Sequence, residues 1–127
     1  VQTCALPICE KFVILANKAH HEGMLAGQAV TPRGMLVHGK DEWGVQKIWE
    51  VPEGLCGFAC IRIDARSAFA KFLLAEGIAK RGYEKGVVVY VHQFNQSWER
   101  KKAYAAAYAE VLQKEQIPGV TWEERLD

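Results

Sequence analysis

The chain has 127 residues, half of them hydrophobic and 24% charged, the balance of one ordinary globular domain rather than of a disordered tail or a membrane protein. Sixteen Lys and Arg against fifteen Asp and Glu leave a formal charge of +1, so no global field holds a nucleic-acid backbone by counterion release, and any polyanion contact must be local. The longest apolar runs, such as Val87 to Val91, fall far short of the roughly 18 residues a spanning helix needs, and no membrane contact is expected.

The first eight residues, VQTCALPI, read as the translation of a short-read sequencing adapter, GTT CAG ACG TGT GCT CTT CCG ATC. Residues 1–8 are therefore expected to be an adapter-derived artefact, with the native start upstream, and residues 9–127 a single α+β domain. Phe12 to Leu15 reads as a short strand. Asn17 to about Val30 reads as a helix capped by Asn17, with Ala19, Met24, Leu25 and Ala29 on its apolar face. Gly23 and Gly27, four apart, form a notch on that helix where another backbone could approach, and Thr31 and Pro32 end it.

Met35 to His38 and Lys47 to Val51 read as a hairpin around the polar loop from Gly39 to Gly44. Leu55 to Ile63 has so few polar residues that a central strand covered on both faces is expected. Asp64 or Ser67 caps a helix in which Phe69, Phe72 and Leu73 share one buried face, and Gly77 stops it, with Ile78 set for the contact that follows a glycine C-cap. The β-branched run Val87 to Val91 reads as a strand after the loop from Lys80 to Lys85. Ser97 caps the longest helix, which runs to about Gln116 and is halted by Pro118 and Gly119. Tyr104, Tyr108, Val111 and Leu112 form its stripe, Ala103, Ala106, Ala107 and Ala109 a low-relief surface, and Val120 to Trp122 a closing edge strand. The fold class is α+β: one small domain with a mixed or antiparallel sheet of about four or five strands against two or three helices.

Cys56 and Cys60 are the cysteines outside the doubtful start; two are too few for a disulfide framework, which favours a reducing, cytoplasmic setting. C-x-x-x-C in an apolar stretch is a poor zinc signal and reads as buried structural thiols. His20 and His21 are adjacent and point about 100° apart on a helix, so they cannot chelate one metal together. No G-x-S-x-G, P-loop, G-x-G-x-x-G or Cys/His signature occurs, so neither a cofactor nor a catalytic residue is assigned, and binding is favoured over catalysis.

Two strands run straight into helices whose first turns carry basic and hydrogen-bonding residues. The first junction holds Arg62, Asp64, Arg66 and Ser67; the second holds His92, Gln93, Asn95, Gln96, Ser97, Trp98, Arg100 and Lys101. A helix start presents unpaired N–H groups and partial positive charge, so neighbouring Arg and Lys suit it to phosphate. Amide side chains add the means to read base or ribose edges, and among Trp43, Trp49, Tyr83, Tyr90 and Trp98, the residues Trp98 and Tyr83 are the candidates for stacking a base, the others for core packing.

The segments C-G-F-A-C-I-R-I (Cys56 to Ile63), S-A-F-A-K-F-L (Ser67 to Leu73) and Q-S-W-E-R-K-K-A-Y-A-A-A-Y-A-E-V-L (Gln96 to Leu112) resemble small uncharacterised accessory proteins of tailed phages and prophages, over roughly residues 50 to 127. The resemblance implies a phage accessory gene and carries over no active site. It leads to the expectation of a counter-defence protein that sequesters a nucleotide-derived signalling molecule, with Arg66, Arg100 and Lys101 on phosphate, Asn95 and Gln96 on base or ribose, and Trp98 or Tyr83 stacked on the base. A homo-oligomer would deepen so small a pocket. The alternatives are an inhibitor of a host defence nuclease or nucleic-acid-binding protein, marked by an exposed apolar patch, and a small nucleotide-processing enzyme.

Overall fold

A computed structural model describes residues 6–32, 34–51, 54, 56–82, 86–94 and 97–126. Helix α1 (Leu6–Ala29) leads into a hairpin of β1 (Met35–Lys40) and β2 (Gln46–Val51). Then follow β3 (Gly57–Asp64), α2 (Ala68–Ala75), β4 (Lys80–Arg81), β5 (Gly86–Tyr90), α3 (Trp98–Lys114) and β6 (Thr121–Leu126). The hairpin forms a two-stranded sheet of its own; the other four strands make an antiparallel sheet in the order β4-β5-β3-β6. Both β3–α2–β4 and β5–α3–β6 skip over one strand before re-entering the sheet, which is the ferredoxin-like connectivity of two interleaved split β-α-β units. The result is a single small α+β domain.

Period-two alternation decides which side of this sheet is covered. Gly57, Ala59, Ile61 and Ile63 of β3 are buried, as are Val87 and Val89 of β5. The apolar faces of the helices meet them: Phe69, Phe72 and Leu73 of α2, and Tyr104, Ala105, Tyr108, Ala109 and Leu112 of α3. Each such aliphatic or phenyl side chain withdrawn from water contributes about 1.5–3 kcal/mol. Phe58, Cys60, Arg62 and Asp64 lie on the other side of β3, which no helix covers. The central strand is therefore covered on one face, not two: the alternation outweighs the scarcity of polar residues.

Segment 12–15 is helix, not strand, because α1 begins at Leu6 and passes through Asn17 without a break. Phe12, Leu15, Ala16 and Ala19 recur at helical spacing and join the core, whereas Leu25 is exposed. With 24 residues α1 exceeds the 17 of α3, so the final helix is not the longest. The Gly23/Gly27 notch exists, but aromatic rings fill it rather than a backbone. A Cβ on Gly23 would sit 2.8 Å from the Tyr104 ring, and one on Gly27 would overlap the Phe94 ring. Phe94 holds φ 67° to make that insertion.

The helix ends follow local chemistry. Ser67 caps α2 by accepting from the Ala70 N–H at 3.0 Å. After α2 the Ile78 N–H reaches the Leu73 carbonyl and the Gly77 N–H the Leu74 carbonyl, a Schellman ending with Gly77 at φ 73°. The same pair of bonds closes α3, from Ile117 to Leu112 and from Gln116 to Gln113, with Gln116 in the left-handed position at φ 60°. The closing strand extends past Trp122 to Leu126 and pairs with β3 along its length. Among the described residues, no helix is long and apolar enough to cross a membrane.

Candidate ligand-binding face

The uncovered side of the four-stranded sheet is a shallow groove of about 830 Å³. Register builds it: Cys60 stands between Tyr90 of β5 and Glu123 of β6, and Phe58 stands beside Arg125. Phe58 and Tyr90 are 43% and 48% exposed, an unusual pair of free aromatic surfaces on two central strands. The Arg125 guanidinium lies 5.2 Å and the Lys101 ammonium 5.7 Å from the centre of the Phe58 ring, both within cation–π range.

Arg62 crosses the groove over Gly86. A Cβ at Gly86 would sit 2.6 Å from Arg62 Nε, so the glycine is what lets the guanidinium lie flat across β5. Its Nη1 is 4.0 Å from Glu123 Oε1, a separation at which a solvent-facing ion pair contributes little. Burial pushes the Cys60 thiol above the ordinary range, with the Glu123 carboxylate adding to the rise, so this sulfur is a weak nucleophile at neutral pH. The groove thus offers two π faces, the guanidinium groups of Arg62, Arg81 and Arg125 beside the carboxylates of Glu123 and Glu124, and a protonated thiol on its floor.

The start of α3, expected to be the anion cradle, is built differently. Ser97 is 3% exposed, is joined by a β-bridge to Cys56, and makes no capping bond with its side chain. Lys101 is 5% exposed. Arg100 turns away from the helix start: its Nη1 donates to the Gly27 carbonyl at 2.9 Å and to that of Gln28 at 3.4 Å, satisfying the end of α1. Trp98 packs against Gly57 with Lys102 Nζ 3.9 Å from its ring centre and a buried Nε1 that has no partner among the described residues, so it is not an open stacking platform. Arg66 is exposed at the first junction but held by the Asp64 of its own turn, through Nη2–Oδ2 at 2.9 Å and Nε–Oδ1 at 3.2 Å. Arg66 and Arg100 thus engage groups of the protein itself, and Ser97 and Lys101 are buried.

Of the expected site residues, Arg62 stands on the open face and His92 is exposed just beyond β5, beside a separate cleft. Tyr83, Asn95 and Gln96 lie outside the described residues. Sequence reading passed over Phe58, Arg125, Glu123 and Arg81 and assigned Tyr90 to the core. The signal was present as the alternation Phe58, Cys60, Arg62, repeated as Trp122, Glu124, Leu126 against Glu123, Arg125 in the terminal segment. The thiols also differ from expectation: Cys56 is exposed and Cys60 half-buried. No family model, curated protein or solved structure matches the chain.

Proposed function

We propose that this domain is a binding protein for a nucleotide-derived small molecule, held on the open sheet face rather than at the helix start. The observation that carries the reading is the pairing of Phe58 and Tyr90 on adjacent antiparallel strands with Arg62 and Arg125 in the same groove. Exposed aromatics on a bare antiparallel sheet stack bases, and each stacked base contributes about 1–3 kcal/mol. A guanidinium supplies the planar donor fork that phosphate oxygens accept. Such an arrangement binds without transforming. In the phage accessory setting that the sequence resembles, binding of this kind acts as sequestration of a host signalling nucleotide, in the cytoplasm of the infected cell.

The test is a thermal-shift screen against cyclic dinucleotides and cyclic ADP-ribose variants, with mass spectrometry of the small molecules released on heat denaturation. A bound nucleotide recovered intact is the expected result. Phe58→Ala should then weaken binding by roughly 5- to 150-fold, the equivalent of one lost stack. Unchanged affinity in Phe58→Ala and Tyr90→Ala would refute the placement, and recovery of an altered nucleotide would replace binding with catalysis.

One observation favours a second reading, inhibition of a host protein. The β1–β2 hairpin forms a sheet separate from the core and carries Trp43 (82% exposed), Val45 and Ile48 in the open. A patch of that composition is what a protein partner covers. Pull-down of a host protein abolished by Trp43→Ser, with no nucleotide bound, would favour it.

A further inference from the structure

A second cavity, of about 340 Å³, lies on the helical side of the sheet between α1, β5, α3 and the turn after α2. Its size is at the lower end for a small-ligand pocket. Its polar lining comes from separate elements: Asn17 and His20 of α1, Lys80 of β4, His92 after β5, and Tyr104 and Tyr108 of α3. None of the described residues that line it is acidic.

The interior of this cleft is organised. His20 Nδ1 and the Tyr104 hydroxyl are 2.6 Å apart, with their rings edge to face at 5.7 Å. Burial raises the Tyr104 phenol far above its ordinary range, and Tyr108 adds to the rise, so Tyr104 keeps its proton and is able to donate it to Nδ1. In the tautomer that accepts at Nδ1, Nε2 is the N–H donor. Tyr108, only 2% exposed, lines this cleft. A phenol in the cleft wall can donate its hydroxyl proton to a guest. Gln93 Oε1 accepts from the His92 N–H at 3.1 Å, which fixes the loop that carries the second imidazole.

We propose that this cleft is a second binding site, for the oxyanion of a small phosphate or carboxylate, with the Tyr108 hydroxyl and His20 as donors and Lys80 as the countercharge. The site is independent of the groove on the other side of the sheet, apart from sharing Tyr90 at its margin. Two donors and one ammonium match the lone pairs of one oxyanion, and no carboxylate among the lining residues competes for them.

The experiment is an NMR titration of the full chain with inorganic phosphate and, separately, with acetate, reading the ring carbon-bound protons of His20 and His92. Saturable movement of both rings with at least one anion is expected, and the anion that saturates at the lower concentration identifies the preferred head group. Tyr108→Phe, which keeps the ring and removes the hydroxyl, should raise the dissociation constant about tenfold, as loss of one hydrogen bond to a charged group does. Lys80→Met should raise it as well, while Phe58→Ala should leave it unchanged. Absence of saturation with either anion, or equal affinity in parent, Tyr108→Phe and Lys80→Met, would overturn the proposal, whatever the fate of the nucleotide groove.

Discussion

Replacing Arg100 by Met separates a ligand-binding arginine from a structural one. Arg100 Nη1 donates to the last-turn carbonyls of α1, at 2.9 Å to Gly27 and 3.4 Å to Gln28. Only the shorter bond has good length, so the loss amounts to one charge-assisted hydrogen bond plus part of the favourable placement of a cation at a helix C-terminus, and the site is half-buried. Together these give about 1–2 kcal/mol, discounted for solvent access. Methionine keeps the aliphatic stem, so packing changes little. For a chain of this length that corresponds to a fall in Tm of about 4–8 °C, read by calorimetry or circular dichroism. The same variant should bind a nucleotide ligand as the parent does, because the guanidinium is occupied 72 and 73 residues back along the chain rather than in the groove. An unchanged Tm together with lost ligand binding would refute the capping role and restore the helix start as the binding site.

Three further outcomes follow from the same contacts. Gly27→Ala should lower stability by about 1–3 kcal/mol in urea unfolding, because overlap with the Phe94 ring outweighs the roughly 1 kcal/mol that alanine gains in a helix; a more stable variant would show that the ring can retreat. Burial pushes the Tyr108 phenol up to about 12, against about 10 in the unfolded chain, so its contribution is complete below pH 10 and is lost as pH rises from 10 towards 12. Stability should fall there by roughly 1 kcal/mol per pH unit for this phenol, and Tyr108→Phe should flatten the slope; equal slopes in both proteins would refute the assignment. Finally, Cys60 should alkylate slowly at pH 8, burial holding its thiol protonated, and a ligand on the open face should slow it further; protection of Cys56 alone would place the ligand elsewhere.

Much of the fold was legible because its signals are local. The cap Ser67, the stop at Gly77, the run Val87 to Val91 and the hairpin around Asp41 to Gly44 each depend on chemistry within a few residues. What escaped is tertiary. Residues 12–15 look like a strand until α3 lies beside them; in its presence Phe12, Leu15 and Ala16 become one face of a helix. Scarcity of polar residues in β3 suggested burial on both sides, but only the positions of α1, α2 and α3 decide which side of Phe58, Cys60 and Arg62 stays bare. The candidate site shifted for the same reason. Basic residues at a helix start advertise an anion site in sequence, but whether they reach solvent or answer an internal demand depends on what packs beside them.

Here the internal demands come first. Helix α1 ends at Ala29 without a basic residue in its last turn, so its carbonyls need a donor from elsewhere, and Arg100 is within reach because Gly23 and Gly27 let α1 settle closely on the aromatic rings carried by α3 and the preceding loop. Lys101, one residue on, is buried and places its ammonium 5.7 Å from the Phe58 ring centre. In the basic turn, Arg100 locks α1 onto α3, and Lys101 with Arg125 sets positive charge around the one aromatic ring of β3 that faces solvent. A ring held between cations is a poor surface for another cation and a good one for an anion-bearing base, since the guest's phosphate answers the charges while its π face meets the ring. In the proposed reading, Lys101 and Arg125 would favour acidic over neutral planar ligands at Phe58.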